Sequence, residues 1–196
     1  MRITCPKEAI HWDFVVQSAK NDGEYTIKTS KPYDSMVDHG ELAVIMRPAR
    51  SYEPRLKDWM CLCYAPDDYI FKHIGIKHAV WEEMYESLLK RIVPQNRAGK
   101  AYPLTSMMIE NFICSEHNSK RIYSKADYCE YLGMHQSHYK RDWGLIDDLV
   151  CGYLRKLSND VLEPIRQNII NLRKAQKSAK EEAWTKRHEK RLQKSA

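Results

Sequence analysis

The chain has few of the residues that interrupt helices, and none of the long apolar runs that cross membranes. Seven glycines and eight prolines are spread over 196 residues, which is poor in turns for a barrel or sandwich and suits a helical chain. No segment approaches the roughly 20 apolar residues that a spanning helix requires. The opening Met1-Arg2-Ile3-Thr4-Cys5-Pro6 carries no apolar stretch like that of a secretory signal. The six cysteines (Cys5, Cys61, Cys63, Cys114, Cys129, Cys151) follow no regular framework, and several fall inside helical stripes as small apolar residues. A soluble protein of the reducing cytoplasm, without structural disulfides and without contact with a membrane, is expected.

Catalytic patterns are lacking too. There is no G-x-S-x-G, no phosphate-binding glycine loop and no H-E-x-x-H. Acid pairs such as Asp67-Asp68, Glu82-Glu83 and Asp147-Asp148 suit helix ends and solvated faces. No catalytic residue and no cofactor is expected. Cys61 and Cys63, followed by His73 and His78, are the nearest approach to a metal set. Structural zinc prefers C-x₂₋₄-C spacing, and on a helix these two thiols point about 160° apart. No metal site is expected.

What the chain does have is positive charge concentrated at one end. Residues 171–196 hold nine Lys and Arg (Arg173, Lys174, Lys177, Lys180, Lys186, Arg187, Lys190, Arg191, Lys194) against three acids, while residues 1–170 carry 23 of each sign. The whole excess of +6 therefore lies in a tail.

The remaining 43% hydrophobic content is organised mainly at helical period. Residues 53–65 place Leu56, Trp59, Met60, Cys63 and Tyr64 on one face. Residues 77–93 repeat the pattern with Ala79, Val80, Met84, Leu88 and Ile92, and 103–117 repeat it with Leu104, Met107, Met108, Ile109, Phe112, Ile113 and Cys114. Pro94 to Lys100 reads as a loop. In the N-terminal third, residues 24–29 alternate like a strand, and 41–46 is a short apolar run fitting a strand or two helical turns. Ser158-Asn159-Asp160 would cap a last helix with Pro164 in its first turn. Three segments follow: an irregular or β-containing part at 1–52, a helical body at 53–157, and a long basic helix at 158–196.

Residues 124–143 are the most specific stretch. Ser124 can cap a helix, with Asp127 three residues on where a capping box carries an acid or amide. Ala126, Cys129 and Leu132 form a small apolar stripe with Tyr128 beside it, and Gly133 supplies the left-handed residue that ends the helix. A second helix then turns Tyr139 and Trp143 inward and leaves Gln136, His138 and Lys140 outward, with His135 in the turn. This is the division of labour of a helix-turn-helix: apolar anchors behind, polar groups toward base edges. The candidate DNA-contacting residues are Gln136, Ser137, His138, Lys140 and Arg141, with His135 and Lys125. Arg173, Lys174, Lys177, Lys180, Lys186 and Arg187 are the candidate phosphate contacts of the tail.

With a small residue at Cys129, Leu132-Gly133 and Ser137, this stretch resembles the helix-turn-helix of bacterial and phage regulators, departing from it in Tyr139, where an aliphatic residue is usual. In its size, its segment 55–65 with Trp59, its helical body and its basic C-terminus, the chain is more loosely similar to phage late-gene antiterminators of the Q type. The resemblance implies a mainly α, non-enzymatic regulator in a bacterial or phage-infected cell. Such a regulator binds double-stranded DNA and then joins RNA polymerase to carry it past terminators. Two other readings stand beside it: an interaction or packaging protein whose basic helix meets an acidic partner, and a metal-dependent nuclease.

Overall fold

The structure is a computed structural model that describes residues 3–21, 38–64, 74–87, 89–93, 97–116 and 122–195. Among the described residues the fold is mainly α: eight α-helices, one 3-10 turn and no strand. The helices are α1 (Pro6–Asn21), α2 (His39–Ile45), α3 (Arg47–Arg50), α4 (Pro54–Tyr64), α5 (Ile74–Ser87), α6 (Ala98–Glu116), α7 (Lys125–Leu132) and α8 (Gln136–Ser195), with the 3-10 turn at Leu89–Arg91. None of them is long and apolar enough to cross a membrane. The chain packs as two units, residues 1–51 with 162–196, and residues 52–161. The two ends of the chain, read above as separate segments, belong to one unit.

In that unit Pro6 opens α1, where its missing N–H would have had no helical partner. The carboxylate of Glu8 turns back to accept from the Thr4 amide (2.8 Å) and hydroxyl (3.1 Å). The apolar run at 41–46, compatible with a strand from its sequence, is helical. Asp38 accepts from the amides of Gly40 (2.8 Å) and Glu41 (3.1 Å) and so starts α2. Leu42, Ile45 and Met46 bury at helical spacing while Val44 stays outside. What is described of the N-terminal part is thus helical, and the strand read at 24–29 lies outside the described residues. Leu162, Ile165 and Ile169 of α8 join Ile3, Ile10 and Leu42 in the buried set.

The second unit is built around Trp59 of α4, which is fully buried. Val80 and Met84 of α5, Leu104, Met108 and Ile109 of α6, and a long row on α8 supply its core. That row is Tyr139, Trp143, Ile146, Val150, Leu154, Leu157 and Val161, all buried at steps of three and four. Leu145, apolar but one position off this row, is 60% exposed. Helix α6 begins at Ala98, so the end of the stretch read as a loop is helical.

The expected break at residues 158–160 does not occur, and α8 runs unbroken from Gln136 to Ser195 with Pro164 inside it. The reason is tertiary. Ser158 is buried and its hydroxyl accepts from the Trp59 indole at 3.0 Å, so it is not available to cap. The apolar row also passes straight through, from Leu157 to Val161, Leu162 and Ile165.

Arg173 departs from its reading as a phosphate contact. Its side chain is only 20% exposed. It donates to the Ile3 carbonyl (2.5 Å) and Gln176 Oε1 (2.9 Å), and it pairs with the Glu41 carboxylate, itself 14% exposed. It ties α8 to the start of the chain and to α2. Arg173→Ala should therefore lower the unfolding free energy by about 2–3 kcal/mol in urea denaturation. The exposed neighbour Lys174→Ala should change it by less than about 0.5 kcal/mol. Equal effects would remove Arg173 from the fold.

Candidate nucleic-acid interface

The entrance to α7 is fixed from α6. Asn111, buried in an otherwise apolar stripe, donates from Nδ2 to the Tyr123 carbonyl (2.7 Å) and accepts at Oδ1 from the Tyr123 amide (2.9 Å). The same Nδ2 reaches the Tyr128 hydroxyl at 2.6 Å. One side-chain amide thus holds the backbone just before the helix and one ring inside it. The next residue, Ser124, begins the helix with a reciprocal capping box. Its hydroxyl accepts from the Asp127 amide (3.3 Å), and the Asp127 carboxylate accepts from the Ser124 amide (2.5 Å).

Helix α7 buries Tyr128, Cys129 and Leu132, whereas Ala126, expected in that stripe, is exposed. Anchoring at Tyr128 rotates the buried face by one position. The helix ends on Gly133 at φ 66° and ψ 41°. The Met134 amide donates to Cys129 O and the Gly133 amide to Glu130 O, both at 3.0 Å, which is the two-bond Schellman ending. Lys100, at the start of α6, donates from Nζ to Leu132 O at 2.9 Å. A cation on the last carbonyls of a helix is favourable, so this lysine, at the end of the stretch read as a loop, serves the turn.

Helix α8 then starts with His135 as its cap. Its Nδ1 lies 2.9 Å from Ser137 Oγ and accepts from the Ser137 amide at 3.4 Å. Tyr139 (1% exposed) and Trp143 point inward as expected. The Tyr139 ring stacks on Tyr128, with centroids 6.2 Å apart, and its hydroxyl has no hydrogen-bond partner among the described residues. Burial, with Asp147 nearby, pushes that phenol far above its ordinary pKa.

The outward set divides by what each side chain already touches. Gln136, His138 and Lys140 are exposed. Arg141 is exposed but pairs with Asp142 through Nε (2.8 Å) and Nη2 (3.1 Å). Lys125 holds its ammonium 5.2 Å from the centre of the Tyr139 ring. In the tail, Lys174, Lys177, Lys180, Lys186 and Arg187 are exposed, with Lys177 3.9 Å from Glu181.

Asn111 and Lys100 were missed by the sequence reading. The one local signal for Asn111 is an amide lodged in an apolar helical stripe, and Lys100 gives none. Comparison of the chain with protein-family models, with curated proteins and with solved structures gives no match. The class that the fold defines is a mainly helical protein.

Two measurements test this geometry. A Cβ at Gly133 would meet no atom within 4 Å, so only the positive φ resists substitution. Gly133→Val should cost about 1–3 kcal/mol, and Gly133→Asn, which tolerates this conformation, much less; equal losses on thermal melting would contradict the strain argument. The Asp127 carboxyl is held below the ordinary aspartate pKa by hydrogen bonds from the Ser124 amide and hydroxyl. Its cap is complete above the unfolded-state pKa and is lost as pH falls through the lowered folded-state value. An NMR titration should place the Asp127 midpoint below that of an unstructured aspartate, and an ordinary midpoint would discount the box.

Proposed function

We propose that the chain is a sequence-specific double-stranded-DNA-binding transcription regulator, with α7 and the start of α8 acting as a helix-turn-helix. One observation carries the reading. Directly after a fixed turn, Gln136, His138 and Lys140 are exposed while Tyr139 and Trp143 between and beyond them are buried. Donors and acceptors on the rigid N-terminal turns of a helix, with its back anchored, match what major-groove reading requires. A glutamine can pair with the N6 and N7 edge of adenine, and a lysine with O6 and N7 of guanine. Ser137, Arg141 and Lys125 suit backbone contacts, Arg141 and Lys125 after release from Asp142 and the Tyr139 ring. His135, occupied as a cap, positions the helix. The exposed cations of the tail supply a sequence-independent term, at a salt slope near −0.9 per phosphate neutralised.

By the resemblance to Q-type antiterminators, RNA polymerase is the further partner we assign to such a regulator. The exposed basic stretch of α8 also favours a second reading, a non-enzymatic interaction or packaging protein held to an acidic partner by charge alone.

Selection of bound duplexes from a random pool separates the two. The regulator reading expects an enriched site, and Gln136→Ala with Lys140→Ala should weaken binding to it by about 1–3 kcal/mol per lost base contact. Binding to scrambled duplex should change far less. An unenriched pool, or loss of binding only when the tail is deleted, would leave the charge-driven reading in its place.

A further inference from the structure

We infer that the exposed arm of α8 around Trp184 binds a single-stranded polynucleotide, stacking an unpaired base on the indole while flanking cations take the phosphates. Trp184 is 65% exposed, more than any other large apolar side chain described. Every described side chain from Lys177 to His188 is exposed, so no face of this part of the helix is covered by its own unit. A lone surface tryptophan would mean little, but its neighbours are sorted.

At about 100° per residue, Lys177, Lys180, Arg187 and His188 all fall within about 60° of Trp184. Glu182 and Lys186 fall about 160° away, on the opposite side. Glu181 is the one acid near this face, and it lies 3.9 Å from Lys177. Trp184 also has a ring beside it, with the His188 imidazole centred 4.7 Å away at 63°. The surface is therefore a cationic strip with two aromatic rings. Its apolar content is a single indole rather than the repeated large side chains that a helical protein partner would bury.

Charge and shape select the occupant. Phosphate charge complements the cations, and a flat unpaired base matches the indole. In a duplex the bases are stacked on one another, so the ring recognises strands that are open. Phosphate and base face are common to DNA and RNA strands, so the sugar is left to the test. The inference uses none of the residues at 125–141; it shares the tail cations Lys177, Lys180 and Arg187 with the duplex reading, while Trp184 belongs to it alone, so the indole substitution separates the two.

The test uses the full chain and fluorescence anisotropy with labelled dT 20-mers, U 20-mers and a random 20-base-pair duplex. Trp184→Ala should weaken binding to one or both single strands by about 5- to 100-fold, and Trp184→Phe, which keeps a ring, by much less. Duplex affinity should move by less than about 2-fold, and circular dichroism should show unchanged helix content, because the side chain is exposed. The stronger of the two single-strand responses identifies the sugar. Unchanged single-strand affinity in Trp184→Ala, or an equal loss on duplex, would overturn the inference. A shift from dimer to monomer in sedimentation would assign the face to a second copy of the chain. Loss only of binding to anionic phospholipid vesicles would assign it to a lipid surface.

Discussion

The second unit depends on one apolar row along α8, from Tyr139 through Trp143, Ile146, Val150, Leu154 and Leu157 to Val161. Each such side chain, fully buried, contributes about 1.5–3 kcal/mol, far more than any surface pair nearby. The row therefore decides how the helix is rotated about its axis, and every outward residue inherits its direction from it. Ser137 and Arg141 lie about 160° from Tyr139, and His138 and Lys140 about 100°. Gln136 is closer in angle, yet it is exposed because it precedes the first packed position. The polar edge is thus a consequence of packing, and changing one of these outward residues leaves the row intact.

A rotated helix must also be entered at a fixed point, and that comes from α6. Asn111 holds Tyr123 and Tyr128 on the way into α7, and Lys100 holds the Leu132 carbonyl on the way out. Between them, the capping box and the Schellman ending satisfy backbone groups at both ends of an eight-residue helix. A helix that short is unstable alone. Its shape is imposed by two side chains of a neighbour that itself sits in the core.

What could be read in advance was what depends on neighbours in sequence. Ser124, Gly133 and the inward pair Tyr139 and Trp143 were legible because caps, left-handed turns and helical period are local. The failures share the opposite cause. Ser158 looked like a cap until the indole of Trp59, 99 residues earlier, took its hydroxyl. Arg173 looked like one tail cation among nine, although its partners Ile3 and Glu41 lie 170 and 132 residues away. The apolar run at 41–46 needed Asp38 to fix its start. Asn111 and Lys100 act at distances of 12 to 32 residues, which no period reveals.

The division within α8 follows from helix cooperativity. Starting a helix is unfavourable and extending one is nearly free, so the stem buried through Leu162, Ile165 and Ile169 carries the cost for everything after it. Among the described residues, Arg173 is the last side chain of α8 with a hydrogen bond to another element, and from Lys177 to His188 all are exposed. Among the described residues of that arm, one i,i+4 ion pair is present, Lys177 with Glu181. Like charges at this spacing oppose a helix by only a few tenths of a kcal/mol each. An arm extended from a packed stem can therefore tolerate unpaired cations without unwinding. Side chains with no part in folding can meet a partner without loss of packing, and in this arm Lys177, Lys180 and Arg187 lie on the side of Trp184.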